Sequence, residues 1–187
     1  MQTNMSSLLR QRKIMSNFGK RLTFFKRLFL AVLIFTTISI TLTPLSALAV
    51  PCRDIPSVLK SADPDQNTKS GGHLTQHISG MTPPKGASQL GKTLFEAKGK
   101  YQGVWKQYLN NFTGKEAVNC SGKQAQQDVP LAKLKITNLG AYSCREADKN
   151  GVCTKWDSYI TKSVFFGFTL NKDNEWILNT AFPDPLT

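Results

Sequence analysis

An uncharged run from Leu28 to Val50 divides this chain, and whatever folds has to be sought after it. Ahead of the run, residues 1–27 carry Arg10, Arg12, Lys13, Lys20, Arg21, Lys26 and Arg27 and no acid. The run is dense in Leu, Ile, Val and Phe and closes on Ala47-Leu48-Ala49. A basic head, an apolar middle and a small-x-small end are the three parts of a secretory signal peptide. Residues 1–49 are therefore expected to be a signal peptide cleaved after Ala49, with Met15 as an alternative start. The product would be secreted or periplasmic. The competing reading is an uncleaved anchor, because the run is long enough to span a bilayer if Thr36 to Thr43 is tolerated. Pro44 and the Ala-x-Ala end favour the peptidase.

Export changes how charge and cysteine are read. The whole chain of 187 residues is formally +12, but seven of those charges sit in the leader. The remainder has 17 Lys and Arg against 12 Asp and Glu, a net of +5. That balance suits a polyanion such as RNA, and an ordinary exported protein nearly as well. All four cysteines, Cys52, Cys120, Cys144 and Cys153, follow the cleavage point. An even count in a small exported domain predicts two disulfides, and three pairings exist. Cys144 and Cys153 bracket a polar, turn-rich loop, so joining them would staple a hairpin and leave Cys52 to Cys120. Metal ligation is the rival use of cysteine, but no Cys-x-x-Cys occurs. No metal and no cofactor are expected.

Residues 50–69, rich in Pro, Asp, Ser and Lys, read as an extended lead-in with a short helical turn at Ser57 to Lys60. Residues 70–187 read as one domain. From Tyr101 to Phe112 the apolar residues Tyr101, Val104, Trp105, Tyr108, Leu109 and Phe112 recur at helical spacing, most simply as core. Gly86 to Phe95 reads as loop or short strand, and Lys133 to Thr137 alternates as a strand. Ser163–Leu170 and Glu175–Phe182 read as two strands joined by the turn residues Asn171-Lys172-Asp173-Asn174. Helices come first and strands follow. The expected class is α+β, with N-terminal helices packed on a C-terminal twisted antiparallel sheet.

Both histidines fall in Ser70-Gly71-Gly72-His73-Leu74-Thr75-Gln76-His77-Ile78-Ser79-Gly80. In a helix, positions i and i+4 share a face, so both imidazoles would point the same way. Such a pair can serve as general base and general acid. Metal-independent RNA cleavage needs both: one group takes the 2′-OH proton, and the other protonates the leaving 5′-oxygen. Lys92 and Thr180 are candidates to stabilise the anionic transition state. Thr180 is expected on the strand face of Leu178 and Phe182, and Phe182 to stack on a base. A His pair at this spacing is also half of a zinc site, but no third ligand and no His-Glu-x-x-His accompanies it. The plainer reading has His73 capping or packing and His77 exposed.

Three stretches carry a resemblance: Gly71 to Gly80, Gly91-Lys92-Thr93-Leu94-Phe95, and Trp176 to Pro183 with its Thr180-Ala181-Phe182-Pro183 end. Together they resemble the bacterial ribonuclease toxin superfamily, which includes barnase, EndoU-like nucleases and the ribonuclease A-like toxins of contact-dependent inhibition systems. The resemblance spans about residues 70–183 and is strongest at its two ends. It implies metal-independent RNA cleavage between an N-terminal helix and a twisted antiparallel sheet. Carried over by position, a helix histidine, Lys92, Thr180 and Phe182 match. The ribonuclease A-like toxins space their histidines one residue wider, which leaves open whether His73 or His77 is the catalytic one. Phe182 stands where many members have Tyr. Those toxins usually end very large delivery proteins, whereas this chain is small and carries cysteines. The expectation is a secreted endoribonuclease that forms a 2′,3′-cyclic phosphate. Its partners would be RNA and a cognate inhibitor protein, with no DNA, and it would act as a monomer. The alternative is a non-catalytic exported binding module that keeps the fold.

Overall fold

A computed structural model describes residues 50–184. The expected signal peptide lies outside the described residues. The helical turn expected at Ser57 to Lys60 is present, but the rest of residues 50–69 is less extended than expected. After a 3₁₀ turn at Cys52–Asp54 these residues form α1 (Pro56–Ser61) and α2 (Pro64–Asn67). Each helix opens on a proline, whose fixed φ and missing N–H suit a first helical position. The Asp63 side chain also accepts a hydrogen bond from Asp65 N at 3.0 Å and caps α2. Pro and Asp, which suggested an irregular stretch, act here as helix starts.

The described residues follow an α+β order. A 3₁₀ turn (Leu74–His77), strand β1 (Thr93–Phe95) and helix α3 (Lys98–Asn111) precede five further strands. These are β2 (Gln124–Pro130), β3 (Gly140–Ala147), β4 (Cys153–Ile160), β5 (Ser163–Leu170) and β6 (Trp176–Pro183). They make two antiparallel three-stranded sheets, β1-β3-β4 and β2-β5-β6, where one sheet was expected. Helix α3 confirms the aromatic periodicity: Tyr101, Val104, Trp105 and Tyr108 are buried. Tyr108 meets Phe166 of β5 at 4.4 Å between ring centroids, and Trp105 meets it at 6.0 Å. The buried phenols are partnered, as buried polar groups must be. Tyr101 donates to Ala62 O at 2.8 Å and Tyr108 to Gln127 Oε1 at 2.9 Å.

The two disulfides are Cys52–Cys120, which ties the start of the described chain to the segment after α3, and Cys144–Cys153, which closes the β3–β4 hairpin. The β5–β6 hairpin turns where expected, on Asn171, whose Oδ1 accepts from Asp173 N and Glu175 N, each at 2.9 Å. The expected strand at Lys133–Thr137 is absent. Leu134 N and Ile136 N instead bond back to Pro130 O and Leu131 O, and Lys135 has a φ of 56° that no strand allows. Its alternation arises because Leu134 and Ile136 both pack on the core from a turn while Lys133, Lys135 and Thr137 stay exposed. Strand β2 has only Val129 buried, so its sequence carries little β signal and its pairing with β5 defines it. Among the described residues no helix is long and apolar enough to cross a membrane.

Candidate functional site

The histidine segment is one 3₁₀ turn with His73 at its N-cap. The shared-face expectation for an α-helix therefore does not apply, yet the two rings still lie 6.2 Å apart, tilted by 51°. Two fully buried side chains hold this turn in place, and sequence reading missed both. On one side Asn67 Oδ1 accepts from Leu74 N at 2.8 Å, while its Nδ2 donates to Ser61 O and to Leu178 O on β6. Gly72 makes this approach possible, since a Cβ there would sit 2.5 Å from Asn67 Oδ1. On the other side Gln89 Nε2 reaches the carbonyls of Thr75, Ile78 and Met81 at 2.8–3.0 Å. Gln89 Oε1 accepts from Cys153 N at 2.9 Å. The turn thus hangs between α2 with β6 and the disulfide-closed hairpin.

Each imidazole has its Nδ1 committed to an oxygen. His77 Nδ1 lies 2.8 Å from Thr93 O. A carbonyl only accepts, so Nδ1 carries the proton and Nε2 keeps its lone pair. His73 Nδ1 lies 3.1 Å from Asn179 Oδ1, and His73 N donates to Asn179 O at 2.8 Å. With Oδ1 as acceptor, His73 has the same tautomer. His77 is 7% exposed, against the plainer expectation that it would be surface. Burial pushes its pKa down to about 4, against the Thr93 hydrogen bond, with the charges of His73 and Lys92 adding to the drop. The pKa of His73 is lowered as well, first by burial, with Asn179 opposing and Lys92 assisting. His77 is therefore a neutral imidazole near pH 7 with its Nε2 available to take a proton.

Lys92 is exposed, and its charge acts on both rings. Its backbone is fixed by Lys92 N to Gln89 O and by Cys144 N to Lys92 O, each 2.9 Å. Thr180 departs from expectation. In the β5–β6 pairing Thr180 sits opposite Gly167 and Leu178 opposite Phe168, which leaves Asn179 as the extra residue of a bulge. One extra residue reverses the alternation. Leu178 and Ala181 join the core, while Thr180 and Phe182 take the other face, so Thr180 shares a face with Phe182 but not with Leu178. The same bulge sends Asn179 to His73. The Thr180 hydroxyl is buried and has no hydrogen-bond partner among the described residues. Asn179-Thr180, two adjacent polar residues inside an apolar strand, is the sequence signal that marks this bulge.

Phe182 stacks on His77 at 4.9 Å between centroids and on Phe165, its cross-strand neighbour, at 4.7 Å. Beside it the Tyr159 phenol donates to Pro183 O at 3.2 Å, and burial pushes its pKa up to about 12. The arrangement therefore offers two imidazoles whose Nε2 atoms have no hydrogen-bond partner among the described residues, one ammonium and a neutral phenol nearby. No group of three or more His, Cys, Asp or Glu that could hold a metal ion occurs among the described residues. Compared with protein-family models, curated proteins and solved structures, the chain matches none.

Proposed function

We propose that the protein is a secreted, metal-independent endoribonuclease that cleaves RNA by transphosphorylation. One observation carries this reading: both histidines spend Nδ1 on an oxygen acceptor and have no hydrogen-bond partner at Nε2 among the described residues, with the rings 6.2 Å apart between centroids and Lys92 acting on both. A neutral His77 suits the base. Its Nε2 takes the proton of the ribose 2′-OH as the 2′-oxygen attacks phosphorus. The bond from phosphorus to the 5′-oxygen breaks, and that oxygen takes a proton from His73 as imidazolium. A bound phosphodiester anion raises the pKa of His73 towards that form. Lys92 meets the charge that builds on the phosphoryl oxygens. The products are a 2′,3′-cyclic phosphate and a 5′-hydroxyl. DNA, which lacks the 2′-OH, is not a substrate.

The Thr180 hydroxyl is closed off from solvent, which favours a second reading, a non-catalytic exported module that keeps the fold. Cleavage of a fluorescent single-stranded RNA by the disulfide-bonded protein in EDTA decides between them. Cleavage that survives EDTA and falls by about 10²-fold or more in His73→Ala and His77→Ala supports the nuclease. A folded wild type that cuts no RNA supports the binding module, and RNA affinity against salt then becomes the measurement.

A further inference from the structure

We infer that Phe182 is a positioning residue that holds the His77 ring plane, rather than a surface on which a nucleobase stacks. The catalytic consequence rests on the ribonuclease reading above, but the effect on His77 itself does not. Across the site, Phe165 stands on β5, Phe182 on β6, and His77 on the turn whose Nδ1 is bound by Thr93 of β1. Phe182 is stacked on two neighbours, at 28° to His77 and 21° to Phe165. Its ring is thus already engaged by two stacked side chains of the protein, one of them the imidazole itself.

The geometry gives this ring a different task. A single hydrogen bond from Nδ1 to Thr93 O fixes where one corner of the imidazole points, yet leaves the ring free to rock about that bond. A flat partner against the ring face removes the rocking motion. With both constraints in place Nε2 has one direction. Phe182 is itself held by Phe165 and by the bulge at Asn179, which turns position 182 onto this face. Phe165 in turn lies over Gly167, where a Cβ would meet its ring at 3.1 Å. The ring alone does this work, so Phe in place of Tyr costs the site nothing.

The charged and titratable groups around His77 are His73 on its own turn, Lys92 ahead of β1 and the Tyr159 phenol on β4, and substitution at 182 leaves all three in place. Phe182→Leu removes the flat partner and lets water reach His77. Two readouts are followed in the full disulfide-bonded protein: the His77 imidazole titration by NMR and the steady-state cleavage of short RNA of varied sequence. In Phe182→Leu the His77 pKa should rise by about one unit or more, and the acid limb of the rate profile should move up with it. kcat should fall about 10- to 100-fold with KM within about twofold for every base. Phe182→Tyr should restore both readouts. An unchanged His77 titration in folded Phe182→Leu overturns the proposal, as does a rise in KM that depends on the base. If no form cuts RNA yet the His77 pKa moves as stated, the ribonuclease reading falls and the positioning role stands. Should Phe182→Leu fail to fold, Phe182→Met replaces it under the same criteria.

Discussion

Each sheet anchors one histidine by a hydrogen bond, but the two sheets are stabilised in different ways. Sheet β2-β5-β6 is backed by an aromatic core: β5 buries Val164, Phe166 and Phe168 in alternation, and α3 lays Trp105 and Tyr108 against it. Sheet β1-β3-β4 has little such backing. From Thr154 to Ser158, every residue of β4 is exposed, and the sheet's own cluster is Leu94, Cys144 and Cys153 with Tyr142 against it. A sheet that buries so little apolar surface needs another constraint, and here it is the Cys144–Cys153 bond together with Gln89. His73 answers to the packed sheet through Asn179, and His77 to the stapled sheet through Thr93. The geometry of the pair thus depends on two regions whose stability has different physical origins.

Gln89→Leu tests this contrast most severely. It would leave the Thr75, Ile78 and Met81 carbonyls and the Cys153 amide without their buried partner. Chemical denaturation should show a loss of about 4 kcal/mol, since each buried group left unpaired costs about 1–3 kcal/mol. Next is the paired substitution Cys144→Ala with Cys153→Ala. Closing a short loop is worth about 3 kcal/mol in the chain-entropy view. Amide exchange should accelerate in β3 and β4 while β5 and β6 keep their protection. Equal acceleration in both sheets would break the comparison.

Acid should act through His77. Its folded pKa of about 4 lies below its unfolded value of 6.5. Between those values the unfolded chain binds more protons, so the stabilisation is complete above pH 6.5 and is lost as pH falls towards 4. Urea melts at pH 7 and pH 4.5 should show wild type losing about 2–3 kcal/mol more than His77→Gln. The smallest effect belongs to the exposed pair Arg145–Asp157 at 2.6 Å on the stapled sheet. Asp157→Ala should cost less than about 1 kcal/mol in the same melts, because solvent screens such pairs.

Read from residues alone, much of the scaffold is legible. The aromatic spacing of α3, the Asn171 hairpin and the pairing of the four cysteines all follow from local pattern and count. These features depend on neighbours in sequence, or on a choice among three pairings narrowed by one loop. The irregular parts were hidden. Pro64, which looks like a breaker, starts α2, and a turn at Lys133–Ile136 imitates a strand because its apolar residues alternate.

The chain by itself placed two histidines on one short turn, with Lys92 and a Thr-x-Phe strand end as companions, because residue type and spacing are local properties. Only the tertiary structure decided which nitrogen each imidazole keeps free, how deeply His77 is buried and which face Thr180 and Phe182 take. Those outcomes depend on Thr93, Asn179, Asn67 and Gln89, which lie as far as 106 residues from the histidines they serve. They also depend on one extra residue at Asn179 that reverses a strand's alternation. Hydrogen bonds across such separations and a shift in register leave no periodic trace in the sequence, since they exist only once the two sheets and the turn have come together.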